Sequence, residues 1–202
     1  MPAKTPTPRR PALLLVDFIN HFDFPGGDAL GRATRRIVPA VLRLRERFDR
    51  AGHPVVYAND NWMQWQGGFA DLVAACREAG GDSGYVADKL APCEGHYYVL
   101  KPKHSAFLCT PLPVLLEQLR ADGLVLAGVA ADSCILATAL DANMRDYPVW
   151  VSRDCTAAID PERKRRVLAM LRDSTHVDTR ASTARKLSRA TPASRTTRRH
   201  RG

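Results

Sequence analysis

The chain has 202 residues, of which 45% are hydrophobic and 25% are charged, a length and composition that suit one globular domain able to fold without disulfides or metals. No apolar run approaches the roughly 18 residues of a membrane helix, and the first run is shorter than the roughly 7–15 residues of a signal-peptide core. We therefore expect a cytoplasmic protein with no membrane contact. The formal net charge of +9 does not by itself indicate a nucleic-acid partner, because the excess lies at one end of the chain.

Apolar runs alternate with helix-like stretches along the chain. Ala12–Val16 is continuously apolar, as in a strand covered on both faces, and apolar side chains then recur every three or four residues from Ile37 to Phe48, with Gly52 at the position of a helix C-cap. The pattern predicts, in chain order, strand Ala12–Val16, helix Ala29–Ala51, strand Pro54–Ala58, helix Phe69–Ala79, strand Tyr97–Leu100, helix Leu112–Ala121, strand Leu124–Val129, helix Asp132–Tyr147, strand Val149–Ser152 and helix Pro161–Leu171. Such alternation favours an α/β fold with a parallel sheet and helices on both faces.

The basic excess lies in the C-terminal segment. Thr179–Gly202 contains eight Lys or Arg residues and no acid, whereas the preceding 178 residues carry 22 basic and 21 acidic residues. The segment is rich in Ser, Thr and Ala and has no aromatic residue, a composition typical of disorder. We predict one domain over 1–178 and a basic, disordered tail over 179–202.

The five cysteines are spaced too widely for a disulfide framework or a zinc site. No CxxC pair occurs, and the expected compartment is reducing, so free thiols are predicted. Four of them are expected to act as small buried hydrophobes, and the fifth has a different environment. The cysteines are Cys76, Cys93, Cys109, Cys134 and Cys155.

Polar residues follow the predicted strands, at the sheet edge where ligands bind in open parallel sheets. Asp17 ends the first strand, Lys101 the third, and Cys134 follows the fourth at the start of a helix. Taken singly, the three have ordinary explanations: a turn cap, a surface lysine and a buried helix cysteine. Asp154, after the fifth strand, is expected to be structural.

Taken together, the three residues fit a nucleophilic site. A thiol is mostly protonated at pH 7, and the positive end of a helix and a nearby ammonium lower its pKa. Asp17 is placed to accept the thiol proton and Lys101 to hold the resulting charge. Backbone amides at the start of the helix would bind a carbonyl oxyanion.

Three segments also resemble the signatures of the isochorismatase-like cysteine hydrolases. They are Leu13-Leu-Leu-Val-Asp-Phe, Leu100-Lys-Pro-Lys-His-Ser-Ala-Phe and Leu126-Ala-Gly-Val-Ala-Ala-Asp-Ser-Cys-Ile-Leu-Ala-Thr, in the family's order. The resemblance, which spans about residues 11–178, implies a Rossmann-like, three-layer α/β/α fold with a mainly parallel six-stranded sheet.

The same resemblance implies a catalytic triad of Asp17, Lys101 and Cys134 and a cis peptide at Val129–Ala130. The N–H groups of Ala130 and Cys134 would form the oxyanion hole. The implied reaction is hydrolysis of a C–N bond in a small amide, ureide or N-carbamoyl compound through a thioester, without a cofactor.

The sequence departs from the nicotinamidases of this family at their metal site. Those enzymes bind a divalent metal through an Asp-x-His pair after the second strand, whereas this chain reads Asp60-Asn61-Trp62. No other histidine has the expected spacing, so we expect no metal. True isochorismatases commonly lack the cysteine, so Cys134 disfavours that reaction.

Polar and aromatic residues near the strand ends are candidates for substrate binding. The glycine-rich loop after the second strand offers tryptophans that could stack on a planar substrate, or that pack on the body or on another subunit. The aromatic residues of the other loops could line the pocket or fill the core. The candidates are Asn20, Phe22, Asn59, Asn61, Trp62, Trp65 and Phe107.

Two other functional classes remain as alternatives. One is a binding or scaffold protein that keeps this fold without turnover, against which the complete triad argues. The other is nucleic-acid binding through the basic tail, which we do not expect because the domain shows no basic stripe or base-stacking motif. The expected partners are a small-molecule substrate and further copies of the chain, as a dimer or a tetramer.

Overall fold

The computed structural model describes residues 8–190. Five parallel strands form one sheet in the order β3-β2-β1-β4-β5. Its elements are β1 (Pro11–Val16), α1 (Gly27–Ala51), β2 (Val55–Asp60), α2 (Phe69–Ala79), α3 (Gly81–Leu90), β3 (Tyr97–Lys101), α4 (Leu112–Gln118), β4 (Gly123–Gly128), a π-helical turn (Ala131–Ile135), α5 (Leu136–Met144), β5 (Val149–Thr156), α6 (Pro161–Thr175) and a short 3₁₀ turn (Ser182–Ala184).

Helices cover both faces of the sheet, which confirms the three-layer α/β/α arrangement. Alternate residues of β1 enter different cores: Leu13 and Leu15 pack against α1–α3, whereas Leu14 and Val16 pack against α4–α6. All six residues of β1 are buried, as expected for the central strand of a parallel sheet. No helix within residues 8–190 is long and apolar enough to cross a membrane.

The helices differ from the predicted pattern in two places. Helix α3 was not predicted, because its glycines and polar residues disfavour a helix; burial of Val86 and Leu90 against the core stabilises it. The helix predicted over Asp132–Tyr147 is instead a π-helical turn followed by α5. The predicted C-cap is confirmed, since Gly52 has the left-handed conformation at the end of α1.

The prediction of six strands was wrong for the described residues, which form five. The chain after α6 lies beside β5, where the Val151 N–H donates to the Asp178 carbonyl (2.8 Å) and the Asp178 N–H to the Val149 carbonyl (3.1 Å). Only one isolated parallel bridge results, between Trp150 and Asp178. The Arg153 N–H donates to the Arg180 carbonyl (3.3 Å), but the Arg180 N–H donates to the Asp178 side chain (3.0 Å) and not to β5, so no regular ladder forms.

Residues 179–190, which the composition places in the tail, contact the domain. Asp154 accepts from the N–H (2.6 Å) and the hydroxyl (2.7 Å) of Ser182, Arg47 donates to the carbonyls of Ser182 and Arg185, and Leu187 packs against the α1 core. The composition of the segment does not reveal these contacts, and its disorder in solution stays a prediction. The rest of the predicted tail, 191–202, lies outside the described residues.

Replacing Asp154 with Ala should destabilise the protein. The substitution removes the acceptor of hydrogen bonds from Ser152 and Ser182, so we expect the free energy of unfolding in urea to fall by about 1–3 kcal/mol. Burial raises the pKa of Asp154, but hydrogen bonds from both serines outweigh it and hold that pKa below its ordinary value. The difference between the two proteins should therefore shrink as the pH falls through this lowered pKa.

The matched control is Asp173→Ala, because the Asp173 carboxylate is exposed and, among residues 8–190, pairs only with the adjacent Arg172. Its free energy of unfolding should change by less than about 0.5 kcal/mol. Equal effects of the two substitutions would show that Asp154 does not hold the C-terminal segment.

Candidate active site

The carboxyl ends of the parallel strands bring the three predicted catalytic residues together. Asp17 directly follows β1, Lys101 is the last residue of β3, and Cys134 lies in the π-helical turn that follows β4. Strand β2 lies between β1 and β3 and places Asp60 beside Lys101 in the register. Residues far apart in the chain thus meet at one edge of the sheet, as expected.

Asp17 is held by backbone and charge contacts on both carboxylate oxygens. It is buried and has a left-handed backbone (φ 53°), a conformation that Asp tolerates better than most residues. Its Oδ1 accepts from the N–H of Asp60 at 2.6 Å, and its Oδ2 lies 2.8 Å from the Nζ of Lys101. The carboxylate therefore has a fixed orientation toward the ammonium.

Lys101 is not a surface lysine, because only 1% of the residue is exposed. Its Nζ donates to the Lys103 carbonyl (3.1 Å) and to the Sγ of Cys134 (3.5 Å), besides pairing with Asp17. A buried ammonium needs such partners, since an unpaired charge in the core is costly. The ammonium is thus placed between the carboxylate and the sulfur.

The three ionisable groups change one another's pKa values. Burial raises the pKa of Asp17, although the charge of Lys101 lowers it. Burial lowers the pKa of Lys101, but the charges of Asp17 and Cys134 outweigh this and raise it. Burial and then the Asp17 charge raise the pKa of Cys134 to about 12, against the opposing effect of Lys101.

The expectation of a lowered thiol pKa was therefore wrong for the resting site. The thiol is mostly buried beside a carboxylate, and both effects favour its protonated form. The Lys101 ammonium contacts both the Asp17 carboxylate (2.8 Å) and the Cys134 sulfur (3.5 Å), so a carboxylate lies close to the thiol. The arrangement therefore favours the protonated thiol.

The backbone before Cys134 has the features that the family resemblance implied. The Val129–Ala130 peptide is cis. Gly128 has φ 150°, and a Cβ there would lie 2.2 Å from the Val16 carbonyl oxygen, so glycine is needed for β4 to pass β1. Within residues 8–190 no group accepts a hydrogen bond from the Ala130 N–H. The Ala130 carbonyl accepts a hydrogen bond from the Ser133 N–H.

Three of the predicted substrate-binding residues, Asn20, Phe22 and Asn59, have structural partners in this arrangement. Both ends of the Asn59 amide bind the backbone of Ile19, at 3.1 and 2.8 Å, which fixes the chain after β1. Asn20 accepts from the N–H of Phe22 at 2.7 Å, and the buried Phe22 ring packs in a small cluster with Leu30. The cluster also contains Val129 and contacts Ala130, beside the predicted oxyanion hole.

The three substrate-binding candidates in the loop after β2 have different surroundings. Trp62 contacts His21, with ring centroids 4.3 Å apart, and borders a cavity of about 290 Å³. Asn61 is buried and accepts from the Trp65 N–H, while its Nδ2 has no partner among the described residues. The Trp65 side chain is 65% exposed and does not border this cavity. The cavity is lined by Asn20, His21, Asp23, Phe24, Asp60 and Trp62.

Phe107 is not brought to these residues. It is buried on the α4–α6 side of the sheet, where it lies near Tyr147 and beneath the guanidinium of Arg145. Ala106, its neighbour, donates to the buried Thr138 hydroxyl at 3.1 Å. The Ser-Ala-Phe part of the second motif therefore anchors the segment that follows Lys101.

Two polar residues beside the sulfur were missed in the sequence. The Nδ1 of His104 lies 3.2 Å from the Ser133 hydroxyl and 3.8 Å from the Cys134 sulfur, and the Ser133 hydroxyl is also 3.8 Å from that sulfur. Both residues lie inside the quoted motifs, three positions after Lys101 and one before Cys134. That proximity was the signal that could have identified them.

Within residues 8–190 no three His, Cys, Asp or Glu side chains are grouped closely enough to hold a metal ion. His21, Asp23 and Asp60 all border the cavity beside Trp62, but these three side chains do not form a group that could hold a metal ion. The expectation of a metal-independent protein stays a prediction.

Comparison with known proteins places this geometry in a family. A family model described as the isochorismatase domain matches residues 11–182. The chain is 37% identical over 160 residues to YaaI, an uncharacterised isochorismatase family protein of Bacillus subtilis, covering 79% of this chain and 87% of that protein. It is 30% identical over 155 residues to the maleamate amidohydrolase of Pseudomonas putida, covering 73% and 72%.

A solved structure agrees with these matches. The N-carbamoylsarcosine amidase of Thermoplasma acidophilum superposes with a TM-score of 0.66 at 28% identity, covering 88% of this chain and 99% of that one. The domain match, the sequence relatives and the shared fold together show that the chain belongs to the isochorismatase family.

Proposed function

We propose that the protein is a cysteine hydrolase that cleaves a C–N bond in a small amide, ureide or N-carbamoyl compound through a thioester. The observation that carries this proposal is the contact of one ammonium with both partners: Lys101 Nζ lies 2.8 Å from Asp17 Oδ2 and 3.5 Å from Cys134 Sγ. A nucleophile, its base and an orienting cation are the groups that covalent hydrolysis needs.

In the first half of the reaction, Sγ of Cys134 bonds to the substrate carbonyl carbon while its proton passes to Asp17. The carbonyl oxygen becomes an oxyanion, for which the N–H groups of Ala130 and Cys134 are the proposed donors. When the intermediate collapses, the C–N bond breaks, and Asp17 gives its proton to the leaving nitrogen. The products are a free amine or ammonia and a thioester on Cys134.

In the second half, Asp17 takes a proton from a water molecule that attacks the thioester carbon. Collapse of this intermediate breaks the C–S bond and releases a carboxylic or carbamic acid. The Lys101 ammonium stabilises the departing thiolate, which recovers its proton from Asp17. One carboxylate therefore acts as base and acid in both halves of the reaction. Burial suits both roles, because it raises the pKa of Asp17 toward the pH at which the protein works.

The substrate class rests on the relatives and on the polar mouth of the site. Two related proteins are named as an amidohydrolase and an amidase, both acting on C–N bonds. His104 Nδ1 and the Ser133 hydroxyl each lie 3.8 Å from the sulfur, so we expect them to contact a substrate bound at Cys134. The cavity beside Trp62, lined also by Asp23 and Asp60, would accept the remainder of a small polar molecule.

Cys134→Ala should abolish turnover without affecting the fold. A panel that includes maleamate, N-carbamoylsarcosine, ureides and simple amides is screened for ammonia release, and the best substrate is assayed. Removing the nucleophile should lower kcat by at least about 10³-fold and leave the thermal midpoint nearly unchanged. The controls Cys93→Ala and Cys109→Ala remove exposed thiols and should retain activity. Retained activity in Cys134→Ala, or no turnover of any compound, would contradict the proposal.

Asp17→Asn and Lys101→Met should change the alkylation rate of Cys134 in opposite directions. Asp17 raises the pKa of the thiol and Lys101 lowers it, so Asp17→Asn should alkylate faster with iodoacetamide at pH 8 and Lys101→Met more slowly. Each unit of pKa change alters the thiolate fraction about tenfold. Asp17→Asn should nevertheless lose turnover by about 10²–10⁴-fold, since no base remains.

The control for this experiment is Lys103→Met, because Lys103 contacts Lys101 only through its backbone carbonyl. Its alkylation rate should stay within about twofold of the unchanged protein. Circular dichroism checks that each variant is folded. A slower rate in Lys103→Met and an unchanged rate in Lys101→Met would mean that the second motif is misaligned by two residues.

Chelation should not reduce the activity. Trp62 occupies the position of a metal-binding histidine in the nicotinamidases, so treatment with EDTA followed by desalting should leave the rate of ammonia release unchanged. Elemental analysis of protein purified without added metal provides the second measurement. Stoichiometric zinc, iron or manganese together with loss of activity on chelation would show a metal-dependent site.

A further inference from the structure

Five arginines form one stripe along the outer face of α1. At 3.6 residues per turn, Arg32, Arg36, Arg43, Arg47 and Arg50 fall within an arc of about 60°, and the stripe is about 27 Å long. The core-facing residues of α1 lie on the opposite side of the helix. The expectation that the domain carries no basic stripe was therefore wrong.

Most of the stripe has no counterion. Arg32, Arg36 and Arg43 are exposed, and their side chains form no hydrogen bond or ion pair within residues 8–190. Arg47 donates to backbone carbonyls of the C-terminal segment, and Arg50 donates to the Glu46 carbonyl, so both keep an unneutralised charge. Exposed arginines without a counterion contribute little to the stability of the fold, so stability does not explain why they are grouped on one face.

Further cations extend the stripe along one flank of α1. A cleft of about 350 Å³ brings Lys164 of α6 to Arg32 and Arg36. A second one, of about 420 Å³, brings Lys186 and Arg189 to Arg47 and Arg50, and no acidic residue lines it. The described chain then ends at residue 190, and the remaining sequence contains four more arginines.

The acids near this surface offset little of its charge. Asp160 borders the first cleft but pairs with Arg163, and Asp178 pairs with Arg180 and Arg185. Asp154 is occupied by Ser182. On α1 itself, Asp28 and Glu46 are exposed and stand four residues before Arg32 and Arg50, so they offset part of the charge. The surface keeps a net positive charge, because the cations outnumber these acids.

We propose that the α1 arginine stripe binds double-stranded nucleic acid through its phosphate backbone, without sequence specificity. A row of cations about 27 Å long spans about eight base pairs of a duplex, at about 3.4 Å per base pair, and each cation can neutralise one of the phosphates there. Arginine suits this role, because its planar guanidinium binds phosphate oxygens through two N–H groups.

The composition of the stripe favours a duplex over other anionic partners. Binding to single strands relies on aromatic rings that stack on bases, and binding to a lipid surface relies on large apolar side chains that insert between lipids. None of the exposed large hydrophobic side chains of the described residues lies on α1; they are Phe24, Trp65, Tyr97, Tyr98, Leu108, Val114, Met144 and Met170.

The test compares two double variants of the full-length chain that lose the same charge. Arg36→Gln/Arg43→Gln removes two unpaired cations of the stripe, and Arg77→Gln/Arg120→Gln removes two arginines outside α1, on α2 and after α4. Binding to a fluorescent 20-base-pair duplex is followed by anisotropy between 50 and 200 mM salt. Ammonia release is assayed in parallel, because neither pair belongs to the proposed catalytic site.

We expect the unchanged protein to bind the duplex and Arg36→Gln/Arg43→Gln to bind at least about tenfold more weakly. The slope of log K against log salt should fall in magnitude by about two, one for each lost phosphate contact. The control pair should stay within about twofold. Both variants keep the basic tail, so their difference reports the stripe alone.

Three results would overturn the proposal. They are no binding of the unchanged protein at 50 mM salt, equal affinities of the two double variants, or a stripe-dependent association with phosphatidylserine vesicles and not with the duplex. Duplex binding and ammonia release are measured separately. If the duplex is not bound but ammonia is still released, the nucleic-acid proposal fails and the proposed hydrolase function stands.

Discussion

The buried ion pair of Asp17 and Lys101 is the interaction on which the site depends. Neither charge is tolerable alone in the interior, and removing one partner of such a pair typically costs about 3–5 kcal/mol. The pair spans two strands that are separated by β2, whose Asp60 N–H holds the carboxylate from the middle. The geometry of the site is thus fixed by the sheet itself.

This placement gives the sulfur an unusual resting state. Thiolates react with oxidants and alkylating agents far more readily than thiols do. Because burial and the Asp17 charge raise the pKa of Cys134, its thiol stays mostly protonated and is less open to these reagents. The exposed Cys93 and Cys109 have no comparable carboxylate contact in the described structure.

The sequence predicted the site better than its surroundings, for physical reasons. Polar residues that directly follow apolar runs must lie at the carboxyl edge of a parallel sheet, so Asp17, Lys101 and Cys134 could be placed from their positions alone. Tertiary packing decided the rest: helix α3 forms despite its glycines, and Phe107 is buried in the core between the sheet and α4–α6. The α1 arginines recur at helical spacing in the sequence, but the prediction that the domain has no basic stripe rested only on the total numbers of its basic and acidic residues. Such a total does not show that the arginines share one face of a helix.

The segment after α6 has a consequence for association between copies of the chain. An outer strand with free backbone groups invites another strand to pair with it, a common route to aggregation. The backbone of residues 178–180 forms hydrogen bonds with β5 but is not itself a regular strand. It therefore covers the β5 edge and leaves no regular strand there for another chain to pair with. Within the described chain, growth of this sheet by a foreign strand is therefore confined to the β3 side, where Tyr97 and Tyr98 are exposed.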